Sequence, residues 1–159
     1  MVSSLPSARP SVKELIEDIA HQANCPDDDE RILSHLRTVF RVVRARASFE
    51  QSLRFLEMLP LSLKVTFLND WHIVPHPARP IESLDEWADE VLQHEQQHVM
   101  HDQDEARRML RAIFTVLGRK ISSDSLRRSL SFVAPEVVDQ LVNPPQERYH
   151  YSDTCIWLS

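Results

Sequence analysis

Apolar residues recur along this chain at the three- and four-residue spacing of helix faces. The first such segment carries Val12, Leu15, Ile16 and Ile19 on one side, and seven more segments follow the same rule. The chain also holds a single glycine, Gly118, whereas tight β-hairpins need residues at positive φ. The pattern therefore predicts an all-α protein of eight helices.

Local signals mark where several of these helices begin. Ser48 followed by Gln51, and Ser83 followed by Glu86, have the spacing of a capping box, which predicts the starts of the third and fifth helices. The predicted inward residues after the first helix are Ile32, Leu36, Val39, Phe40 and Val43; then Leu53 and Leu56; then Leu63 and Phe67; then Leu84, Trp87, Ala88 and Val91; then Met109, Ile113, Phe114 and Leu117; and finally Leu126, Leu130, Val137, Val138 and Leu141.

The second half of the chain repeats the first. LRTVFRVVRARAS from Leu36 recurs as LRAIFTVLGRKIS from Leu110, 74 positions later, and the offset drifts only between 72 and 75 along the match. Such drift places insertions in turns and leaves helices in register. We predict two tandem four-helix repeats packed as a compact helical bundle, with two small cores sharing an interface. The predicted segments are a disordered N-terminus 1–10, repeat 11–70, a proline-rich connector 71–82, repeat 83–143 and a C-terminal tail 144–159.

Composition and charge narrow the classes of function. The 42% hydrophobic and 26% charged residues are ordinary for a globular protein, and the net charge of -6 disfavours a general nucleic-acid binder. Arg37, Arg41 and Arg44 fall at helical spacing, and we interpret them as a solvated face. No uninterrupted apolar run approaches the length of a membrane span, and the N-terminus lacks an apolar core of signal-peptide length. Cys25 and Cys155 form no CxxC pair, which suits a reducing compartment. We expect a cytoplasmic protein with neither membrane nor nucleic-acid partners.

One motif has the form of a metal site. His94, Glu95 and His98 form HEQQH, in which a helix would hold both histidines on one face as zinc ligands, with Glu95 as general base. In a chain with eight histidines, random placement produces this form in roughly three chains per hundred. Gln22 stands at the repeat position of His94, so the duplicated scaffold does not need the site.

A catalytic zinc also needs a third protein ligand. His101 would lie about 10 Å from His94 along a helix, too far to share one ion with both histidines. The other candidates are His72, His76, Asp102 and Glu105. We expect His21 and His35 to be surface or boundary residues. We therefore expect no cofactor and keep zinc as the alternative.

The order of these elements resembles a known family. The LRxxF helix, the serine-started short helix, the helix after LP or AP, the Asp70–Trp71 pair and the IESLDEW restart are similar to the bacterial domain-of-unknown-function family 2267, over Ser11 to Asn143. Ala134 replaces the leucine that the family pattern places before the second proline. The resemblance implies an all-helical fold and carries over no catalytic residue.

Two hypotheses of different classes follow. The first is a protein-binding or scaffold module without catalytic activity, whose partner is another protein or a second copy. The second is a zinc-dependent hydrolase that uses His94 and His98 as ligands and Glu95 as base. The C-terminal tail is relevant to the protein-binding hypothesis. We expect its apolar residues Ile156, Trp157 and Leu158 to be buried against the same chain or a second copy.

Overall fold

The computed structural model describes residues 11–24, 29–95 and 102–142 and shows eight α-helices there, as the sequence predicts. The N-terminus 1–10 and the tail 144–159 lie outside the described residues. The described residues contain no β-strand. Ile81 and Val133 form an isolated β-bridge. The helices are α1 Val12–Gln22, α2 Asp29–Arg46, α3 Phe49–Met58, α4 Leu61–Leu68, α5 Leu84–His94, α6 Gln103–Lys120, α7 Ser123–Ser129 and α8 Pro135–Val142.

Polar side chains cap the starts of α1, α3, α5, α6 and α7. The hydroxyl of Ser48 accepts from the backbone N–H of Gln51, whose side chain accepts from the Ser48 N–H, so this predicted capping box is complete. Ser83 accepts from the Glu86 N–H at 3.0 Å, but the Glu86 carboxylate accepts from the backbone N–H of Glu82 and from Arg46. The second predicted box is therefore only half formed.

The two halves of the chain have matching elements. Helices α1 and α5 have 11 residues each, α2 and α6 have 18 each, and α4 and α8 have 8 each. Helix α1 packs on α2 and α6, and α5 packs correspondingly on α6 and α2. A duplicated unit would produce such matched packing. The repeat boundaries at 11–70 and 83–143 and the connector at 71–82 stay predictions.

The buried apolar residues form one cluster drawn from both halves, not the two small cores that the repeats favoured. The helix packing explains this, because α1 and α5 each contact the long helices of both halves, α2 and α6. Aromatic rings join the halves directly: the ring of Phe55 lies 6.4 Å from that of Phe114, centre to centre. The core therefore cannot be divided at the connector.

Most predicted core positions are buried, but those of α3 are not. Leu53 is exposed and Leu56 only partly buried, whereas Ser52 and Phe55 face inward. The reason is the position of the helix, since α3 packs on α2, α4 and α7. The spacing of Leu53 and Leu56 carried no information about which face those neighbours would cover.

Candidate functional site

Of the HEQQH motif, the structure describes only His94 and Glu95. Helix α5 ends at His94, and Glu95 follows in an extended conformation with φ -72° and ψ 116°. The side chain of His94 is about one third exposed, and its Nε2 lies 3.7 Å from an oxygen of Glu90. His98 lies outside the described residues, so its role as a ligand stays a prediction.

The other proposed zinc ligands are spread over the fold. His76 contacts the carbonyl oxygens of Arg44 and Pro77, His72 is exposed, and Asp102 caps α6 by accepting from the Glu105 N–H at 2.9 Å. Glu105 is itself buried on α6. Among the described residues no three histidine, cysteine or acidic side chains gather closely enough to hold a metal ion.

A polar cleft lies beside the first residues of the motif. Its volume is about 260 Å³, and the buried Glu95 contributes one wall. Its other lining residues come from one face of α2 and from the turn after α4. The lining residues are Ser34, Arg37, Thr38, Arg41, Asn69, Asp70 and Glu95.

The arginines of α2 are more than the solvated face that the sequence indicated. Arg37 is exposed, but Arg41 and Arg44 are half-buried. Arg44 donates to the carbonyl oxygens of Phe67 and Asn69 at 3.1 and 3.0 Å, and Arg41 donates to that of His94 at 3.5 Å. Positively charged guanidinium groups at the carbonyl ends of α4 and α5 stabilise the negative ends of the helix dipoles. Burial lowers the pKa of Arg44, nearby Arg41 lowers it further, and Asp70 raises it.

His35 is fully buried on α2 and is not the surface or boundary residue expected, whereas His21 is exposed. Both occupy amphipathic helices, so composition alone could not separate them. Packing does, because α2 lies against five other helices and little of its surface stays in water.

A second feature is a set of exposed apolar residues on α3, on α4 and in the segment after α4, which we call the α4 face. It consists of the exposed large hydrophobic residues Phe49, Leu53, Leu61, Val65, Leu68, Ile73 and Val74. Leu61, Val65 and Leu68 fall on one side of α4, while Leu63 and Phe67 on its other side are buried. The sequence carried this signal, since LSLKVTFL is apolar on both faces. Our sequence interpretation used only the inward pair.

Trp71 borders the α4 face. Its ring lies 5.5 Å from that of Phe67 and 6.2 Å from that of the exposed Phe49, centre to centre. All three residues belong to the first half of the chain. Trp71 therefore seals the end of α4 against α3, and these contacts do not span the junction between the two halves.

Comparison with known proteins agrees with this architecture. A family model described as "Uncharacterized conserved protein (DUF2267)" matches residues 12–140. The chain belongs to this family. The match spans both halves and the connector, so the family unit includes all eight helices. No curated protein matches the sequence. Within the part of the chain that the structure describes, no helix of this family member is both long and apolar enough to cross a lipid bilayer.

Proposed function

We propose that this member of the family is a protein-binding module without catalytic activity, and that its partner docks on the α4 face. The observation that carries the proposal is the concentration of exposed apolar side chains. All seven large hydrophobic residues found exposed in the described residues lie between positions 49 and 74, with Val65 71% and Val74 69% exposed. Exposed apolar patches of this kind tend to mark contact sites.

Helix α8 supplies an internal reference for this surface. It has the same length as α4 and also buries apolar residues on one side, but its exposed residues include Glu136, Asp139 and Gln140. The scaffold thus accepts a polar outer face on a helix of this kind. The apolar outer face of α4 is therefore not a requirement of packing, which supports a role in binding.

The shape of the surface favours a helical partner. Leu61, Val65 and Leu68 form a ridge about 10 Å long at 1.5 Å per residue, which can fit the groove of an amphipathic helix. Lys64 does not interrupt this ridge, because its ammonium group donates to the carbonyl oxygens of Leu56 and Glu57. We propose a partner that presents an apolar helix face.

The test replaces an exposed apolar residue of α4 with an acidic residue like those on the outer face of α8. Val65→Asp should leave the free energy of unfolding within about 0.5 kcal/mol of the wild type, because the side chain is already in water. A photoreactive amino acid at position 65 should cross-link a partner that the same group at position 139 does not. The purified partner should then bind Val65→Asp at least tenfold more weakly than the wild type. Asp139→Asn is the matched control and should bind normally.

Two other occupants of the α4 face are outcomes of the same experiment. Sedimentation equilibrium that shows a dimer lost in Val65→Asp would identify a second copy. Cross-links from position 65 to residues 152–158 of the same molecule would identify the tail. Equal affinity of the purified partner for Val65→Asp and for the wild type would contradict the proposal.

The cytoplasmic location is part of the same proposal. It is supported by the cysteine content, since two cysteines at positions 25 and 155 do not form the dense framework of small secreted domains. Fractionation of cells that express the tagged full chain tests it directly. Recovery of the protein with the secreted fraction would contradict this location.

A further inference from the structure

The polar cleft beside α2 contains charges of both signs that do not pair with one another. Arg37 and Arg41 lie one turn apart on α2, and Asp70 stands on the wall formed by the turn after α4. Among the described residues, neither arginine forms an ion pair within 4.0 Å, and Asp70 forms none. Arg37, Arg41 and Asp70 therefore line the cleft without an ion pair among them.

Three arginines outside the cleft lining do form ion pairs with described residues. Arg46, Arg107 and Arg127 each contact at least one carboxylate. Arg37 makes no hydrogen bond with a described residue, and Arg41 makes one long contact of 3.5 Å to the carbonyl oxygen of His94. A guanidinium group has five N–H donors, so most of the donors on this side of the cleft remain available to a ligand.

The turn after α4 is held in place and brings a carboxylate to the cleft. Arg44 holds it by donating to the carbonyl oxygens of Phe67 and Asn69. Asp70 then adopts a left-handed backbone conformation with φ 61°, which aspartate and asparagine tolerate better than most residues. Its exposed carboxylate adds negative charge to the lining, and the nearby Arg44 guanidinium compensates the carbonyl end of α4.

We propose that this cleft binds a small zwitterion of the α-amino acid type. The carboxylate of the ligand pairs with Arg37 and Arg41, and its ammonium group pairs with Asp70. Two carboxylates, Asp70 and Glu95, line the cleft together with the two arginines, so a simple anion or a simple cation would meet groups of its own sign, whereas a zwitterion matches both. The volume of about 260 Å³ suits a molecule of this size and is too small for most larger ligands. The residues are distinct from those of the α4 face.

Calorimetric titration of the full chain with L-alanine, L-glutamate and L-lysine tests this assignment. At least one should bind with a dissociation constant of about 1 mM or below, while acetate and ethylammonium at equal concentration bind at least tenfold more weakly. Arg37→Gln and Asp70→Asn should each weaken binding at least tenfold. Asparagine tolerates the backbone of position 70, so the melting temperature without ligand should stay unchanged.

Arg107→Gln is the matched control, because it removes an arginine from α6 outside the cleft lining. It should bind the zwitterion as the wild type does. The proposal is overturned if none of the three amino acids binds up to about 10 mM. It is also overturned if acetate binds equally well, or if binding survives both cleft substitutions.

Discussion

The guanidinium group of Arg46 at the end of α2 pairs with the carboxylate of Glu90 on α5, so that it joins the two halves of the chain. The positions 74 residues after Arg46 and 72 residues before Glu90 are Lys120 and Asp18, and these also pair, at 3.3 Å. In the sequence, the offset of 74 aligns α2 with α6, and the offset of 72 aligns α1 with α5. The same contact between halves is thus made twice.

Arg46→Gln should destabilise the protein far more than Lys120→Gln. The side chain of Arg46 is 9% exposed, contacts Glu86 as well as Glu90, and donates to the carbonyl oxygens of Arg79 and Pro80 at 2.7 Å each. Losing it should lower the free energy of unfolding by about 2 to 3 kcal/mol, less than for a fully buried pair because Glu86 can rehydrate.

Lys120 and Asp18 are 34% and 47% exposed, so breaking their pair should cost about 0 to 1 kcal/mol. Urea denaturation of the two variants gives both values. Equal losses would show that the connector carbonyls held by Arg46 contribute little to stability.

Glu86 should contribute to acid unfolding. The hydrogen bond from Arg46 lowers the pKa of Glu86 below its usual 4.5, although burial acts in the opposite direction. The unfolded chain then binds this proton more readily than the folded chain. The stabilisation is complete above pH 4.5 and is lost as the pH falls through the lower folded pKa.

Glu86→Gln should therefore reduce the slope of unfolding free energy against pH below about pH 4.5 and leave the slope above pH 6 unchanged. Urea titrations between pH 2.5 and pH 7 measure it, with Glu82→Gln as a control on the same turn. An unchanged acid slope in Glu86→Gln would contradict the role of the Arg46 bond.

Sequence reasoning succeeded where the determinants are local. The Ser48 and Gln51 capping box formed as predicted because both partners lie within one turn. Of the Ser83 and Glu86 box, only the bond from the Glu86 N–H to the Ser83 hydroxyl is present. The Glu86 carboxylate instead accepts from Arg46, which lies forty positions earlier. No local pattern could reveal that competition.

The candidate sites depend on the same kind of distant information. Arg37 and Arg41 were visible as a helical stripe, but only the fold places the turn at Asp70 across from them. For α4, apolar residues on both faces were visible, but which face α2 and α3 would cover was not. The sequence therefore predicted the helices, whereas the polar cleft and the α4 face depend on how those helices pack.

Phe40→Ala and Phe114→Ala should have similar and large effects. Both residues are fully buried and occupy equivalent positions of the LRxxF pattern. The ring of Phe40 lies 5.3 Å from that of Phe67, and the ring of Phe114 lies 5.2 Å from that of Trp87. Each substitution should lower the free energy of unfolding by about 3 to 5 kcal/mol.

Phe49→Ala is the control, because this ring is 37% exposed, and its loss should cost about 1 kcal/mol or less. Chemical denaturation of the three variants provides the comparison. A cost below about 1 kcal/mol for Phe40→Ala or Phe114→Ala would show that the shared core is misassigned.

The protein as purified should carry less than one equivalent of zinc per chain. An HExxH site needs His94 and His98 on continuous helix, with ring nitrogens about 2.0 to 2.1 Å from the metal and a third ligand from another segment. Helix α5 ends at His94, the next residue is extended, and Gln22 replaces the histidine in the first half. Elemental analysis after purification without chelator or added metal measures the content.

His94→Ala with His98→Ala should consequently change neither the metal content nor the melting temperature. One tightly held zinc per wild-type chain that is lost in this double variant would contradict the prediction, because the motif would then assemble despite the end of α5. Glu95→Gln separates binding from chemistry. If that variant kept the zinc but lost a hydrolytic activity of the wild type, the general-base role of Glu95 would follow, and the protein would be an enzyme.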